Sequence, residues 1–282
     1  MDKLKILLMI IVLSFFNTSS YADENYTIDS LEGFNWSMGL SYDNDKILVA
    51  DGTNNIILVF DKIKHELLNK ILLVENNCNG HIHGIVIYQD TIYSVKSNDS
   101  CIVYYNLEGK FLKEFGTFGD KPGEFNQPQN LEIFENKIFV TDSGNNRIQI
   151  FDLEGKFLKE FGTFGDKPGE FNGVMGITSN NNKILVADGT NNRIQIFDLE
   201  GKFLKEIKSK FNSPHQLLII ENYMYVLDTY NYKVKIFDIS IFQESKNENN
   251  SFMEIFIILI LISLISFLCI FFMRKSKNEN SK

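Results

Sequence analysis

Twenty consecutive residues of this chain occur twice. The stretch LEGKFLKEFGTFGDKPGEFN fills residues 107–126 and recurs without a change at residues 153–172, which is 46 positions later. A long duplication at such a spacing is typical of repeat architectures, in which each copy is one supersecondary unit that packs against its neighbours. The duplication therefore indicates a shape built from repeated units.

The duplicated stretch belongs to a longer unit that recurs five times. The stretch that begins at Asn136, NKIFVTDSGNNRIQIFDLEGKFLKE, recurs with a few substitutions from Asn182 as NKILVADGTNNRIQIFDLEGKFLKE. Three more divergent copies have the same form, and equivalent residues in the five copies are spaced by 45, 46, 46 and 40 positions. These equivalent residues are Asp51, Lys96, Asp142, Asp188 and Asp228.

Each unit contains short segments of strand character separated by turn residues. In the third unit the segments are NLEIF, KIFVTD, RIQIFD and KFLKEF, and DSGNN and DLEG supply Asp, Asn and Gly for tight turns. RIQIFD alternates, so that Ile148 and Ile150 point one way and Gln149 and Phe151 the other. Four short antiparallel strands in every unit predict the blades of a β-propeller, an all-β fold with a central channel.

Both ends of the chain are apolar and are interpreted separately from the repeats. The run ILLMIIVLSFF, followed by small residues, predicts a signal peptide cleaved before Asp23, with a retained anchor as the alternative. Residues 255–273 carry no charge and match the ~20 residues that cross a bilayer, and the basic residues that follow predict a cytoplasmic C-terminus. The expected order is a signal peptide (1–22), a propeller outside the cytoplasm (23–240), a linker (241–254), a single transmembrane helix (255–273) and a basic cytoplasmic tail (274–282).

The charge of the chain argues against one class of partner. The formal net charge is −8, and because residues 1–22 carry +1 and residues 255–282 carry +3, residues 23–254 carry −12. Binding to nucleic acid depends on clusters of Lys and Arg that contact phosphates. We therefore expect no nucleic-acid partner.

One family resembles the repeat closely. FGTFGDKPGEFNQPQNLEIFENKIFVTDSGNNRIQIFDLEGKFL is similar to an NHL repeat, a blade of six-bladed, TolB-like propellers, and the resemblance covers most of residues 30–240. It implies that the Asp and Arg of the motif brace the turns between strands and neighbouring blades, and are architectural, not catalytic. In the other units Ile56, Cys101 and Lys233 replace the Arg. The expected architectural residues are Asp51, Asp142, Arg147, Asp188, Arg193 and Asp228.

The number of blades is one fewer than is usual for such rings. Five repeats are evident, and the last one ends after its third strand. The N-terminal segment 23–36 aligns loosely with the outer strand and loop before the fifth unit, so we expect it to pair with the last blade and close the ring. A degenerate sixth blade is the alternative.

Three histidines suggest a second, catalytic interpretation. His83 and His215 occupy the same repeat position, just before the innermost strand, and His81 lies nearby. Propeller lyases place histidines there around a metal, but a zinc site needs three or four ligands. We expect no metal, no cofactor and no catalysis. The other three units have Met38, Gln129 and Met175 at this position.

The second unit also holds two cysteines. Cys78 and Cys101 are expected on the same rim of the propeller, where they would form a disulfide in an oxidising compartment. This unit has Lys96 and Cys101 where others have Asp and Arg, so the disulfide would replace the lost brace. Two free thiols are the alternative.

The leading functional hypothesis is a non-catalytic, membrane-anchored propeller whose loop-rich rim binds an extracytoplasmic protein, peptide or glycan. The alternative is a metal-dependent lyase or hydrolase that uses His83 and His215 near the mouth of the channel. The loop phenylalanines are expected to pack between blades instead of forming a ligand platform. These are Phe118, Phe125, Phe164 and Phe171.

Overall fold

The computed structural model describes residues 37–42, 46–51, 55–61, 67–74, 78, 80–220, 222–231 and 233–239. The expected signal peptide, closing segment, linker, transmembrane helix and cytoplasmic tail lie outside these residues. Within them, no helix has the length and apolar character needed to span a bilayer. The strands of the propeller lie within residues 1–237, the first of two contact units of the chain, apart from Asp238 at the end of the final strand.

Antiparallel sheets form the described part of the chain, and consecutive strands pair within each sheet. The first blade consists of β1 (Ser37–Tyr42), β2 (Lys46–Asp51), β3 (Ile56–Asp61) and β4 (Leu67–Leu72). The second consists of β5 (Ile82–Tyr88), β6 (Thr91–Lys96), β7 (Cys101–Asn106) and β8 (Phe111–Phe115). The third consists of β9 (Pro128–Phe134), β10 (Lys137–Asp142), β11 (Arg147–Asp152) and β12 (Phe157–Phe161). The fourth consists of β13 (Val174–Asn180), β14 (Lys183–Asp188), β15 (Arg193–Asp198) and β16 (Phe203–Ile207). The fifth consists of β17 (Pro214–Ile220), β18 (Tyr223–Asp228) and β19 (Lys233–Asp238).

The position of a strand in its blade explains its composition. The second strand of the third blade, KIFVTD, is buried at all but its first residue because both faces are covered, so it is an apolar run without alternation. The outer strand FLKEF has no buried residue. Phe rings fill the space between neighbouring blades: Phe151 lies 4.8 Å from Phe115, and Phe197 lies 4.9 Å from Phe161, between ring centroids.

Asparagine fixes the turn between the second and third strands. Asn146 and Asn192 adopt left-handed backbone angles, with φ of 53° and 56°, which Asn tolerates better than most residues. Their side chains then reach the next blade, since Asn146 Oδ1 accepts from Gly173 N at 2.9 Å and Asn192 Oδ1 accepts from Ser213 N at 2.8 Å. One residue therefore shapes the turn and ties two blades together.

The prediction of an all-β propeller is confirmed. The described residues form four blades of four strands and a fifth of three strands. The innermost strands of successive blades are in contact from the first blade to the fifth, and they line a channel that holds a partly open cavity of about 840 Å³.

Candidate functional site

Arg147 joins three parts of the third blade. Its Nε donates to Asp142 Oδ2 at 2.8 Å, and a terminal nitrogen donates to Glu160 Oε2 at 2.9 Å. The terminal nitrogens also donate to three backbone carbonyls of the loop 120–124, at 2.7 to 3.0 Å. This loop connects the second blade to the third, so one guanidinium group holds the loop against the blade that follows it.

The same arrangement recurs in the fourth blade. Arg193 Nε donates to Asp188 Oδ2 at 2.8 Å, and its terminal nitrogens reach Glu206 and two carbonyls of the loop 167–170 at 2.9 to 3.0 Å. Gln195, on the same strand face, donates to Asp188 at 3.1 Å and to a carbonyl of that loop at 2.7 Å. Each buried ion pair is thus surrounded by further hydrogen bonds, which a buried charge requires.

In the fifth blade a different residue supplies the cation. Lys233 holds the motif position of the Arg, but Lys235 is the residue that reaches the carboxylate, with its Nζ 2.8 Å from Asp228 Oδ2. Lys235 Nζ also donates to the carbonyl of Ser209 at 2.6 Å. Lys235 lies at the position of Gln149 and Gln195, whose side chains also donate to the motif Asp of their blades. A lysine at this position is longer than glutamine and carries a charge, so it supplies the cation for the same carboxylate.

In the second blade, a lysine and a cysteine occupy the motif positions of the Asp and the Arg. Lys96, at the motif position of the Asp, is almost fully buried, and its Nζ donates to Asn55 Oδ1 of the first blade at 2.6 Å. Burial lowers the pKa of Lys96 to about 8, against the attraction of Asp99. Cys101, at the position of the Arg, forms a disulfide with Cys78, with Cα atoms 6.5 Å apart.

The four loop phenylalanines divide into two pairs. Phe125 and Phe171 are fully buried, but Phe118 and Phe164 are 75% and 70% exposed. The expectation that all four pack between blades is therefore wrong for Phe118 and Phe164. The reason is local: residues 118 and 125 form a parallel bridge, as do 164 and 171, so each loop folds back on itself and only its second ring reaches the core.

The beginnings of the inner strands carry the predicted histidines. His83 Nδ1 donates to Gln129 Oε1 at 3.1 Å, which links the second blade to the third. Burial lowers the pKa of His83, and burial together with the proximity of His83 lowers the pKa of His215 to about 4. His81 is exposed. Over the described ranges, no three or more His, Cys, Asp or Glu side chains form a group that could hold a metal ion.

A hydrogen bond crosses the channel next to these histidines. Asn130 Nδ2 of the third blade donates to Gln216 Oε1 of the fifth at 2.9 Å, although the fourth blade lies between them in sequence. The first, second and fourth blades have Gly at the equivalent position, and a Cβ at Gly84 would lie 2.6 Å from Asn130 Oδ1. A Cβ at Gly84 or Gly176 would therefore collide with the inner strand of the following blade, which carries Asn130 or Gln216.

Comparison with known proteins agrees with the fold. The blades around a channel define a β-propeller, and residues 121–262 match the 6-bladed beta-propeller family DUF5128. The chain belongs to this family. No curated protein matches the chain. The family has six blades, whereas the described residues form five.

Proposed function

We propose that this protein is a non-catalytic recognition scaffold of the NHL type, and that the rim bearing Phe118 and Phe164 binds a protein, a peptide or a glycan outside the cytoplasm. The observation that carries the proposal is the exposure of these two rings at equivalent positions of neighbouring loops. Exposed aromatic side chains are common anchors at binding surfaces, where they bury a large area with few rotatable bonds.

The loops that present the two rings are held firmly. Within the first loop, Gly119 N donates to Phe125 O at 3.0 Å and Phe125 N donates to Thr117 O at 2.8 Å. Arg147 binds the same loop from the third blade. A loop that is ordered before binding loses little conformational entropy when a ligand arrives, so its contacts contribute more fully to affinity.

Because the loop is duplicated, the rim presents two equivalent exposed rings. Both loops have the same sequence and nearly the same hydrogen bonds, and they belong to consecutive connections between blades. A partner with repeating chemistry, such as a glycan or a peptide repeat, can engage both rings, and the second contact then forms at a high effective concentration.

The sequence supports a position at a membrane surface. Residues 255–273 have the length and composition of a transmembrane helix, and the linker 241–254 spans at most about 50 Å when extended. The propeller would then stand close to the bilayer on its extracytoplasmic side, with residues 274–282 in the cytoplasm.

The test compares two matched pairs of substitutions in the full-length protein. Phe118→Ala/Phe164→Ala removes the proposed anchors, and Leu112→Ala/Leu158→Ala removes side chains of 50% and 47% exposure from equivalent outer strands. On arrays of glycans and peptides without free ammonium groups, we expect the Phe pair to lose at least tenfold in affinity for every ligand that the wild type binds, and the Leu pair to stay within twofold. Unchanged binding by the Phe pair would refute the proposed rim site.

A further inference from the structure

We propose that the channel contains a second binding site, separate from the rim, in which the Glu132 carboxylate pairs with a compact organic ammonium ion.

The cavity lies between the C-terminal halves of the inner strands. Its volume is about 840 Å³, enough for a small organic molecule. It is lined by residues 85–90 of β5 and the turn after it, 130–133 of β9, 177–180 of β13 and 216–219 of β17, with Ser41 of β1.

The hydrogen bond between Asn130 and Gln216 borders this cavity on the side of the predicted histidines. Both residues line the cavity, and both precede the other lining residues of their strands. At the same level, the close approach of Gly84 to Asn130 leaves no room for a further side chain. The bond therefore lies between the cavity and the end of the channel that carries His83 and His215.

Glu132 places a carboxylate in the wall of the cavity. Its Oε1 accepts from Ser179 Oγ of the next blade at 2.6 Å, which fixes its orientation. Among the described residues that line the cavity there is no Lys, Arg or His, and the only other acidic one is Asp90, in an exposed turn. A half-buried carboxylate with no cation among the described lining residues is disfavoured when ionised, so a bound cation would be attracted to it.

The pKa of Glu132 reflects the same environment. Burial raises the pKa of this carboxyl to about 7, although its hydrogen bonds from the Ser179 side chain and backbone act in the opposite direction. The strands packed against β9 carry few other titratable groups, and β13 carries none. These groups are His83 and Tyr88 of β5, with Asp90 in the turn after it, Tyr93 and Lys96 of β6, Lys137 and Asp142 of β10, and His215 of β17.

The wall chemistry favours an organic cation over a metal ion. A metal ion requires several ligating side chains, and no group of three His, Cys, Asp or Glu that could hold one occurs in the described part of the chain. Aliphatic residues such as Ile87, Ile133 and Leu218 line the cavity beside the carboxylate. A small molecule with one ammonium group and a short aliphatic body matches this wall, which combines polar groups, aliphatic patches and one carboxylate.

The experiment uses butylammonium as the probe and butan-1-ol as its neutral counterpart, titrated calorimetrically into the full-length protein. If only the ionised carboxylate binds the cation, a pKa of about 7 predicts that affinity falls about tenfold between pH 8.5 and pH 6.0. We expect Glu132→Gln to weaken binding of butylammonium at pH 8.5 at least tenfold and to remove the dependence on pH. Butan-1-ol should bind at least tenfold more weakly than butylammonium.

Two controls separate the site from general attraction to an acidic protein. Asp90→Asn removes one negative charge from the exposed turn and should leave the affinity within threefold, and the Phe118→Ala/Phe164→Ala protein should bind the probe as the wild type does. The proposal is overturned if butylammonium does not bind at pH 8.5, if its affinity is the same at both pH values, or if Glu132→Gln binds it as well as the wild type. The pH comparison needs no substitution, so it remains decisive if Glu132→Gln does not fold.

Discussion

Replacing Arg147 with Met tests whether the motif Arg is a structural brace. Met has a similar length and no charge, so it removes the guanidinium group while keeping most of the hydrocarbon. The change leaves Asp142, which has no exposed surface, without its cation, and it removes one donor from each of three carbonyls of the loop 120–124. Lys121 O keeps a hydrogen bond from Glu124 N and Glu124 O keeps one from Gln149 Nε2, so Asp120 O is the carbonyl most affected.

The magnitude follows from what remains around the carboxylate. Removing one partner of a buried ion pair costs about 3–5 kcal/mol. Asp142 keeps hydrogen bonds from Asn126 N, Asn145 Nδ2 and Gln149 Nε2, at 2.7 to 3.1 Å, so the lower end of that range applies. We therefore expect the free energy of unfolding to fall by about 3 kcal/mol and the Tm to fall by about 10 °C.

The assay is urea and thermal unfolding of the full-length protein, followed by circular dichroism. Arg193→Met repeats the change in the fourth blade and should give a similar loss. Lys159→Met, on the exposed face of β12, is the matched control and should change stability by less than ~0.5 kcal/mol. In a double-mutant cycle, Asp142→Asn should recover part of the loss. A loss below ~1 kcal/mol in Arg147→Met, or strict additivity in the cycle, would show that the ion pair does not brace the blade.

Three further predictions concern other contacts. Reduction of the Cys78–Cys101 disulfide should lower the free energy of unfolding by about 3 kcal/mol, because the bond links residues separated by 23 positions; free thiols on both residues in the untreated protein would contradict this. Glu132→Gln should be more stable than the wild type above pH 7, by up to about 3 kcal/mol. The raised pKa disfavours the ionised form of Glu132 in the folded state. The free energy of unfolding of the wild type should therefore fall as pH rises from about 4.5 to 7, while that of Glu132→Gln stays level. Parallel stability profiles of the two proteins from pH 4 to pH 8 would contradict a raised pKa of Glu132. Lys235→Met should lower the free energy of unfolding in urea by about 2 kcal/mol, because it leaves the buried carboxylate of Asp228 without its cation. A decrease equal to that of the exposed control Lys202→Met would show that Lys235 does not stabilise the fifth blade.

The sequence predicts the blades well because their determinants are local. The period of about 45 residues, the Asp-Asn-Gly turns and the strand-like segments all repeat along the chain, and each acts within one unit. The pairing of Arg147 with Asp142 spans only five positions, so a single hairpin turn brings them together. Predictions of this kind need no knowledge of the ring.

Contacts that depend on the ring are not predictable from the motif. Asn130 and Gln216 are 86 positions apart and belong to blades that do not follow one another, so only the curvature of the ring brings them together. Glu132 differs from its repeat equivalents, but nothing in the sequence shows that it lines a cavity. Lys235 could have been found from the sequence, since it lies on the strand face that carries the Arg elsewhere.

The outer strands of the second and third blades are the same five residues, FLKEF. Nothing in these strands themselves selects one blade over the other, so the short turn before each strand assigns it to its partner. On the ribosome the first copy emerges and pairs before the second exists, and the order of synthesis resolves the ambiguity. In a denatured chain both copies are available at once, so during refolding either FLKEF strand can pair with the third strand of either blade. Repeat proteins that refold with such alternative pairings are prone to exchange strands between molecules.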